Sequence, residues 1–598
     1  MGNMRELKTP ILIIGGGTGG SAAALACARM GIGCIVTEPT DWIGGQLTSQ
    51  AVPPDENRWI ETFGGNRSYQ DLRNGVRRYY RQVRGGLSVK AATDPHLNPG
   101  GGWVSRLCAE PRIWHDVLSG MLLAAGFTFV SGALAPRDGA GGRERVSGAD
   151  GASGYQSGAA RAVMLNLQPM AAELVGDTIR TFRFIHTITG EEIVIEADLV
   201  LDATETGDVL ALANIEHAIG AEHRDVYGEL HGRADFDIKD KASDWIDQQA
   251  CSWCFAIEHR PGENHTIDKP KNYDWWRVHV PDMSPPWCGP LFSWTVPSHT
   301  AMGCRTFRMV PWPSEPAPGE LEMWRYRRIV DSAVHSRNGL ERDATDHPDV
   351  SLINMVQMDH WRRPLLGVGG AEAAAALAGA REQSLCFLYW MQTEASRHDG
   401  KGVGYPGLKL RGDELGTTDG FAKSPYIREP RRLLARTMVT EAHIGTDQRR
   451  AAGIERSDPN WLRVPDGLGT AEAFADSVGI GHYMIDLHPS CAGRNNVYVP
   501  AAPFRIPMGA LIPVRVKNVL AAGKCLGVTH ITNGAYRMHH VEWSVGEAAG
   551  VLAAWCVCEG RAAVMIEPTA VHGSAEKLQD VRRVLGEQGV RMAWPWEI

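Results

Sequence analysis

The sequence predicts an α/β fold: a domain built on a parallel sheet, joined to a mixed α+β domain. An apolar, β-branched run at residues 11–14 leads directly into a glycine-rich turn at residues 15–20. An Ala-rich, helix-forming run follows the turn, and residues 32–37 read as a second strand. The chain has 598 residues, 43% of them hydrophobic and 22% charged, which is ordinary for a globular protein of more than one domain. This order of elements is typical of a Rossmann-like unit.

The glycine turn fits the pattern G-x-G-x-x-G at Gly15, Gly17 and Gly20. The first glycine allows a tight turn, the second lets the backbone approach a diphosphate, and the third lets helix and strand pack closely. The helix that begins near Thr18 presents its N-terminus to the anion. Glu38 ends the second strand, where a carboxylate accepts hydrogen bonds from ribose hydroxyls and repels an NADP 2′-phosphate. The sequence therefore predicts a dinucleotide site.

Later segments indicate which dinucleotide is bound. A second glycine pair follows Glu38, small-residue turns occur at residues 202–208 and 518–527, and a small-residue-rich helix is predicted over residues 542–559. Here the chain resembles FAD enzymes of the glutathione-reductase-type fold. Residues 47–50, 425–432 and 485–489 also resemble a bacterial group called FAD-dependent oxidoreductases. The resemblance implies FAD as cofactor and adds these binding residues: Gly44, Gly45, Gln46, Ala203, Thr204, Gly523, Lys524, Ala535 and Gly546.

The predicted organisation is a Rossmann-like FAD-binding domain that is discontinuous along the chain, with a mixed α+β substrate domain. The FAD-binding domain takes residues 1–50, 105–215 and 481–560, with an insertion or cap at 51–104. Residues 216–480 hold most of the 19 Trp and form the substrate domain, where the rings either line a site or simply fill a core. Residues 561–598 form a C-terminal appendage. A Gly- and Ser-rich stretch at 138–159 predicts a surface loop.

Candidate groups for the chemistry lie in the segments expected beside the flavin. Imidazoles titrate near neutral pH and suit proton transfer, whereas arginines bind carboxylates or stabilise developing negative charge. For each of these residues the alternative is ordinary packing or an ion pair with a neighbouring acid, and only geometry decides. The candidates are His488, His539, His540, Arg537, Arg428 and Tyr426.

The 12 cysteines are spread thinly and do not predict a disulfide scaffold. Cys251 and Cys254 form a C-x-x-C, but they lie in the predicted substrate domain without a βαβ context, which disfavours a redox pair. Zinc is also disfavoured because no second pair of ligands has suitable spacing. We predict no metal site.

Lys plus Arg is 61 against 69 for Asp plus Glu, so the net charge of −8 disfavours a nucleic-acid partner. No apolar run of about 20 residues predicts a membrane span. No secretory leader is recognised at the N-terminus, so we expect a cytoplasmic protein. The sequence leaves a homo-oligomer open.

The leading functional prediction is an FAD-dependent oxidoreductase that removes hydride from a small molecule at a CH–OH or CH–NH group, with a sugar-like compound as one form of substrate. The alternatives are a reductase of activated C=C bonds, a tRNA-modifying flavoprotein, which the acidic balance disfavours, and an electron-carrying subunit. The sequence does not identify the electron acceptor.

Overall fold

The computed structural model describes residues 5–130, 160–234, 244–298, 303–311, 321–334, 348–457, 464, 467–559 and 565–597. The predicted loop at 138–159 lies outside these residues. The strands in the described ranges are, in chain order, β1 Arg5–Ile14, β2 Cys34–Glu38, β3 Thr128–Val130, β4 Arg161–Leu165, β5 Leu167–Val175, β6 Thr178–His186, β7 Glu192–Asp202, β8 His217–Ala218, β9 Phe255–His259, β10 Thr295–Pro297, β11 Cys304–Arg308, β12 Leu321–Glu322, β13 Arg328–Val330, β14 Val350–Ile353, β15 Leu408–Leu410, β16 Arg432–Leu433, β17 Ser477–Gly481, β18 Ile485–Leu487, β19 Val497–Val499, β20 Phe504–Pro507 and β21 Val519–Ala521.

Helices connect and cover these strands. In the same ranges they are α1 Thr18–Arg29, α2 Arg67–Tyr79, α3 Val89–Thr93, α4 Pro111–Ala124, α5 Asp208–Leu212, α6 Arg224–Tyr227, α7 Tyr273–Val278, α8 Met323–Tyr326, α9 Gly370–Thr393, α10 Glu441–Ile444, α11 Thr446–Ala451, α12 Ile454–Ser457, α13 His530–Tyr536, α14 His539–Glu559, α15 Pro568–His572 and α16 Ala575–Glu587.

The main sheet confirms the predicted Rossmann-like α/β fold. Strands β3, β4, β2, β1 and β7 lie side by side and are parallel, and the short β21 extends the order along the end of β7. The other end of β7 pairs antiparallel with β6, which pairs with β5. Because β1, β2, β7 and β21 are parallel, the turns that follow them meet at one edge of the sheet.

Helix α14 packs against α1 beneath that edge and begins three residues before the predicted start. It is the one helix within the described ranges that is long and apolar enough to cross a membrane, and 94% of its most apolar window is buried inside the protein. Its small residues Gly546 and Gly550 meet the backbone of α1, so it packs as a core helix.

The Trp-rich region, residues 216–480, forms a second hydrophobic core around the antiparallel sheet β13-β14-β9-β15 and the long helix α9. Most of its tryptophans are buried in this core, namely Trp276, Trp287, Trp294, Trp324, Trp361 and Trp390. Trp245 and Trp275 are partly exposed. Core packing therefore accounts for most of the aromatic content of this region.

The C-terminal segment packs closely on the rest of the chain. Trp594 is fully buried, stacks on Trp596, lies against Trp59 and donates from its indole Nε1 to the Phe504 carbonyl at 3.1 Å. The predicted appendage is thus part of the core at this residue.

The structure holds a disulfide between Cys288 and Cys304. Neither cysteine belongs to the C-x-x-C pair. Cys251 and Cys254 are both buried and unpaired. Burial raises the pKa of their thiols, to about 11 and about 12.

Candidate active site

The first glycine turn sits between β1 and α1 with no room for side chains. A Cβ on Gly15, whose φ is +103°, would lie 2.7 Å from the Thr204 nitrogen. A Cβ on Gly20 would overlap the Gly15 carbonyl oxygen and lie 3.1 Å from Ala203 Cβ. The turn therefore presses against the end of β7, as the three-glycine pattern requires.

A second turn lies directly against the first. The Thr18 hydroxyl donates to the Gly44 carbonyl at 3.0 Å, and the Gly44 backbone N–H donates to the Gly16 carbonyl at 2.8 Å. Gly44 and Gly45 both have positive φ, at +104° and +51°, so glycine is the residue that adopts this path without strain. The glycine pair that follows β2 is thereby built into the same edge.

Glu38 is held at this edge by three hydrogen bonds. Its carboxylate accepts from the Gly16 N–H at 3.0 Å and from the Thr40 N–H and hydroxyl at 3.0 and 2.7 Å. Burial, partly offset by these bonds, raises the pKa of Glu38 to about 7. The carboxylate lies at the end of β2, where an adenosine ribose is expected.

Polar side chains gather where the two turns meet the N-terminus of α1. Lys524 is buried and donates to Glu205 at 2.5 Å and to the Ile427 carbonyl at 2.6 Å. Gln46 Nε2 donates to the Arg537 carbonyl at 3.1 Å and to Glu542. Burial, reinforced by the charge of Glu205, raises the pKa of Glu542 to about 7.

These residues fit a flavin dinucleotide. Gln46 Oε1 is buried without a hydrogen-bond partner, as is His539 Nε2 at the start of α14. The glycines leave a cradle that a Cβ would fill, and Lys524 supplies a cation beside it. In this arrangement the turns and Lys524 would hold the diphosphate, and Glu38 the ribose.

The remaining predicted cofactor residues occupy different places. Thr204 donates from its N–H and hydroxyl to Asp202, which fixes the turn after β7. Gly523 follows β21, beside Ala203. Gly546 lies at the crossing of α14 with α1, where a Cβ would come within 2.6 Å of Gly19 Cα. Ala535 is fully buried in α13.

Replacing Glu205 with Gln is expected to tighten FAD binding about tenfold. Glu205 Oε1 lies 2.7 Å from the position of a Cβ on Gly17, so its negative charge occupies the turn that the diphosphate needs. The dissociation constant of FAD, measured by quenching of flavin fluorescence on the apoprotein, tests this. Glu216→Gln, which removes a carboxylate paired with Arg515 instead, is the control and should leave the constant unchanged. Weaker binding by Glu205→Gln would contradict the assignment.

A second polar cluster brings His488 and Arg428 together around Asp359. His488 Nδ1 lies 2.6 Å from Asp359 Oδ2, while Ser252 Oγ donates to Asp359 Oδ1 at 2.6 Å. Arg428 Nη2 lies 3.0 Å from Asp359 Oδ1. Burial opposes the charge of Asp359, but Arg428 and His488 hold the pKa of this carboxyl below its usual range. Asp359 therefore stays ionised and accepts the Nδ1 proton of His488.

Arg537 and Tyr426 border the same cluster. Arg537 Nη1 donates to the Tyr426 hydroxyl at 2.7 Å, and Nη2 donates to Asp486 Oδ2 at 3.2 Å. His488 Nε2 lies 3.7 Å from that same carboxylate oxygen. Four of the six predicted candidates, His488, Arg428, Arg537 and Tyr426, thus meet in one network.

The other two predicted histidines lie at the start of α14. His539 Nδ1 accepts the Asp55 N–H at 3.1 Å, and burial together with the neighbouring His540 lowers its pKa well below the usual range. Burial also lowers the pKa of His540 to about 3, and His482 and Arg73 act in the same direction. Both histidines therefore lie against the Asp55 segment, His539 through the Asp55 N–H and His540 through the Asp55 backbone.

Sequence reasoning missed Asp359, Asp55 and Arg327. Asp359 follows the buried, apolar residues Val356 and Met358, and an acid in an apolar run was the available signal. Asp55 and Arg327 lie in segments with no recognisable motif, and Arg327 Nη1 is 3.8 Å from Asp55 Oδ1.

A small cavity of about 10 Å³, room for about one water molecule, adjoins the network on the Arg428 side. Its lining includes Gln249, His360, Arg363 and Glu429. Gln249 Oε1 accepts the His488 backbone N–H at 3.3 Å, so the cavity wall also supports the His488 segment.

A parallel sheet with two glycine turns and a cradle for a dinucleotide defines a Rossmann-like flavoprotein. Residues 10–580 match the family described as FAD dependent oxidoreductase, and the chain belongs to this family. This membership confirms the sequence prediction of an FAD-dependent oxidoreductase family, with FAD as the cofactor of the family. No curated protein matches the chain in sequence.

Parts of the chain are similar to several solved structures, and the chain spans 26–39% of the length of three of these. The flavin-dependent monooxygenase PieE, in complex with FAD and substrate, is 14% identical over 42% of this chain and 35% of its own, with a TM-score of 0.20. L-proline dehydrogenase from P. horikoshii is 13% identical over 38% of this chain and 26% of its own, with a TM-score of 0.17. THI4 from Thermovibrio ammonificans is 13% identical over 36% of this chain and 67% of its own, with a TM-score of 0.21.

Proposed function

We propose that this enzyme oxidises a small organic molecule at a CH–OH group, with His488 as the acceptor of the hydroxyl proton. The observation that carries the proposal is the pair of His488 and the buried Asp359, 2.6 Å apart. An ionised carboxylate on Nδ1 fixes the imidazole tautomer that accepts a proton at Nε2 and stabilises the imidazolium that results.

The electron and proton balance follows from this arrangement. Bound FAD supplies a two-electron acceptor for hydride leaving a substrate carbon. The substrate O–H proton passes to His488 Nε2, the C–H and O–H bonds break, and a C=O bond forms. Once protonated, Nε2 gains the favourable field of Asp486 Oδ2, 3.7 Å away.

The pairing of Arg428 and Arg537 disfavours these two residues as the carboxylate site of a reductase that acts on activated C=C bonds. For that reductase, Arg428 and Arg537 would bind a substrate carboxylate. Instead, Arg428 is held by Asp359, the Ala250 carbonyl and Ser252, while Arg537 is held by Asp486 and Tyr426. Freeing either guanidinium would leave a buried carboxylate or hydroxyl without its partner, which is costly.

The experiment is anaerobic addition of alcohols, amines, sugars and hydroxy acids to the holoenzyme while the visible flavin absorbance is followed. We expect one class of alcohol to bleach the flavin and to yield the matching carbonyl compound. Bleaching by amines alone would move the chemistry to CH–NH oxidation. If no donor bleaches the flavin and the dithionite-reduced enzyme is reoxidised by an enone, the enzyme is a reductase.

The proposals on domain arrangement, partners and cellular location rest on the sequence. We propose a glutathione-reductase-type arrangement of the FAD domain and a small-molecule substrate, with no nucleic-acid partner. The proposed location is cytoplasmic, although the Cys288 to Cys304 disulfide favours an oxidising compartment, because such bonds are rare in the cytosol. Thiol alkylation of protein taken directly from cells distinguishes the two.

A further inference from the structure

Arg327 carries a buried charge beside the His488 network that its neighbours satisfy poorly. Its side chain is 11% exposed, and Nε and Nη1 are buried without hydrogen-bond partners. The nearby carboxylate is Asp55, whose Oδ1 lies 3.8 Å from Nη1, beyond hydrogen-bond length. A buried guanidinium with unpaired N–H donors destabilises the fold unless another anion accepts its hydrogen bonds.

The carboxylates near Arg327 are paired with other cations, so a further anion could pair with its guanidinium. Asp359 is committed to Arg428 and His488, and Asp486 to Arg537. Asp55 is the acid beside Arg327, but at 3.8 Å its Oδ1 makes no hydrogen bond with Nη1. These acids are therefore either paired with other cations or too far away to satisfy the donors of Arg327.

A second arginine faces the same region from β11. Arg305 interacts electrostatically with Tyr326, Asp486 and Tyr498, and its Nε is buried without a hydrogen-bond partner. Its guanidinium lies over the Phe307 ring at 5.0 Å, and Arg327 lies over Tyr326 at 5.1 Å. Two arginines held against aromatic rings thus stand on the Asp486 side of His488.

We propose that Arg327, with Arg305 beside it, binds the carboxylate of the substrate, which is then a small hydroxy acid. The inference rests on the proposed function and names its substrate class. Guanidinium groups match carboxylate geometry with paired N–H donors. Asp55 interacts electrostatically with both Arg327 and His488, so the two side chains are close neighbours. A 2-hydroxy acid or a sugar acid matches this spacing because its carboxylate lies close to a carbinol carbon.

The first test titrates the holoenzyme with malonate, which carries carboxylates but no hydroxyl, and follows the visible flavin spectrum. We expect a saturable change, with a dissociation constant weakened about 10- to 100-fold in Arg327→Met and less in Arg327→Lys. Arg308→Met, on β11 with Arg305, is the control, because Arg308 acts electrostatically on Tyr405. If Arg327→Met does not fold, the lysine variant decides. The absence of a saturable change, or one independent of Arg327, overturns the inference.

The second test compares bleaching by lactate and gluconate with bleaching by propane-1,2-diol and sorbitol. We expect the acids to act at least tenfold faster, with the preference lost in Arg327→Met. Bleaching by the neutral alcohols at equal rates would leave the proposed function standing and refute the carboxylate site. Malonate binding that depends on Arg327, without bleaching by any alcohol, would support the site and refute the proposed function.

Discussion

His488→Gln is expected to slow anaerobic flavin reduction by about 10²- to 10⁴-fold, because it removes the acceptor of the hydroxyl proton. The visible flavin spectrum and the melting temperature should stay close to those of the wild type, since the Arg428 and Asp359 pair remains. Stopped-flow absorbance with the best alcohol donor measures the rate. A wild-type rate in His488→Gln would remove this residue from the chemistry.

Asp359→Asn tests two roles of Asp359: it orients the His488 imidazole, and it stabilises the fold as the counter-ion of Arg428. The rate should fall as far as in His488→Gln, because the amide no longer favours the tautomer with Nδ1 protonated. This variant also leaves Arg428 buried without its counter-ion, which costs about 3–5 kcal/mol of folding free energy. We therefore expect a lower melting temperature in Asp359→Asn but not in His488→Gln. Adding His488→Gln to Asp359→Asn should slow the reaction little further, since the two residues act as one unit.

Gly546→Ala is expected to destabilise the protein by about 2–3 kcal/mol and to weaken FAD binding. The new Cβ would lie within 2.6 Å of Gly19 Cα, so α14 must move away from the turn that holds the cofactor. Thermal unfolding of the apoprotein and FAD titration measure the two effects.

Gly120→Ala is the matched control for this change. Gly120 is also inside a helix, α4, but nothing lies within 4 Å of an added Cβ. The same substitution should there stabilise the protein by up to about 1 kcal/mol through helix propensity. Equal effects at the two positions would show that the contact between α14 and α1 is not tight.

The sequence predicted the nucleotide-binding edge in detail because its constraints are local. Gly15, Gly17 and Gly20 must be glycines for reasons that act within a few residues, and the strands on either side are apolar runs. The sequence predicts that α14 begins at residue 542, three residues after its observed start, because His539 and His540 are not apolar. Burial within the packed domain decides that boundary.

The network around His488 could be predicted only in part. Three of its members, His488, Arg428 and Tyr426, lie in segments that resemble family motifs, but Asp359 is separated from His488 by 129 positions in the chain. The contact between them depends on how the Trp-rich region packs against the FAD domain, which no local pattern encodes. No local pattern identifies Arg327 either, because its significance is that its buried Nε and Nη1 have no hydrogen-bond partners.

A single-turnover reaction tests the central claim most directly. Holoenzyme is mixed without oxygen with the alcohol that bleaches it best, and flavin reduction and carbonyl product are quantified together. Our account predicts one carbonyl formed for each flavin reduced, with both slowed alike in His488→Gln. Flavin that stays oxidised with every alcohol tested, in an enzyme that dithionite reduces and an enone reoxidises, would contradict it.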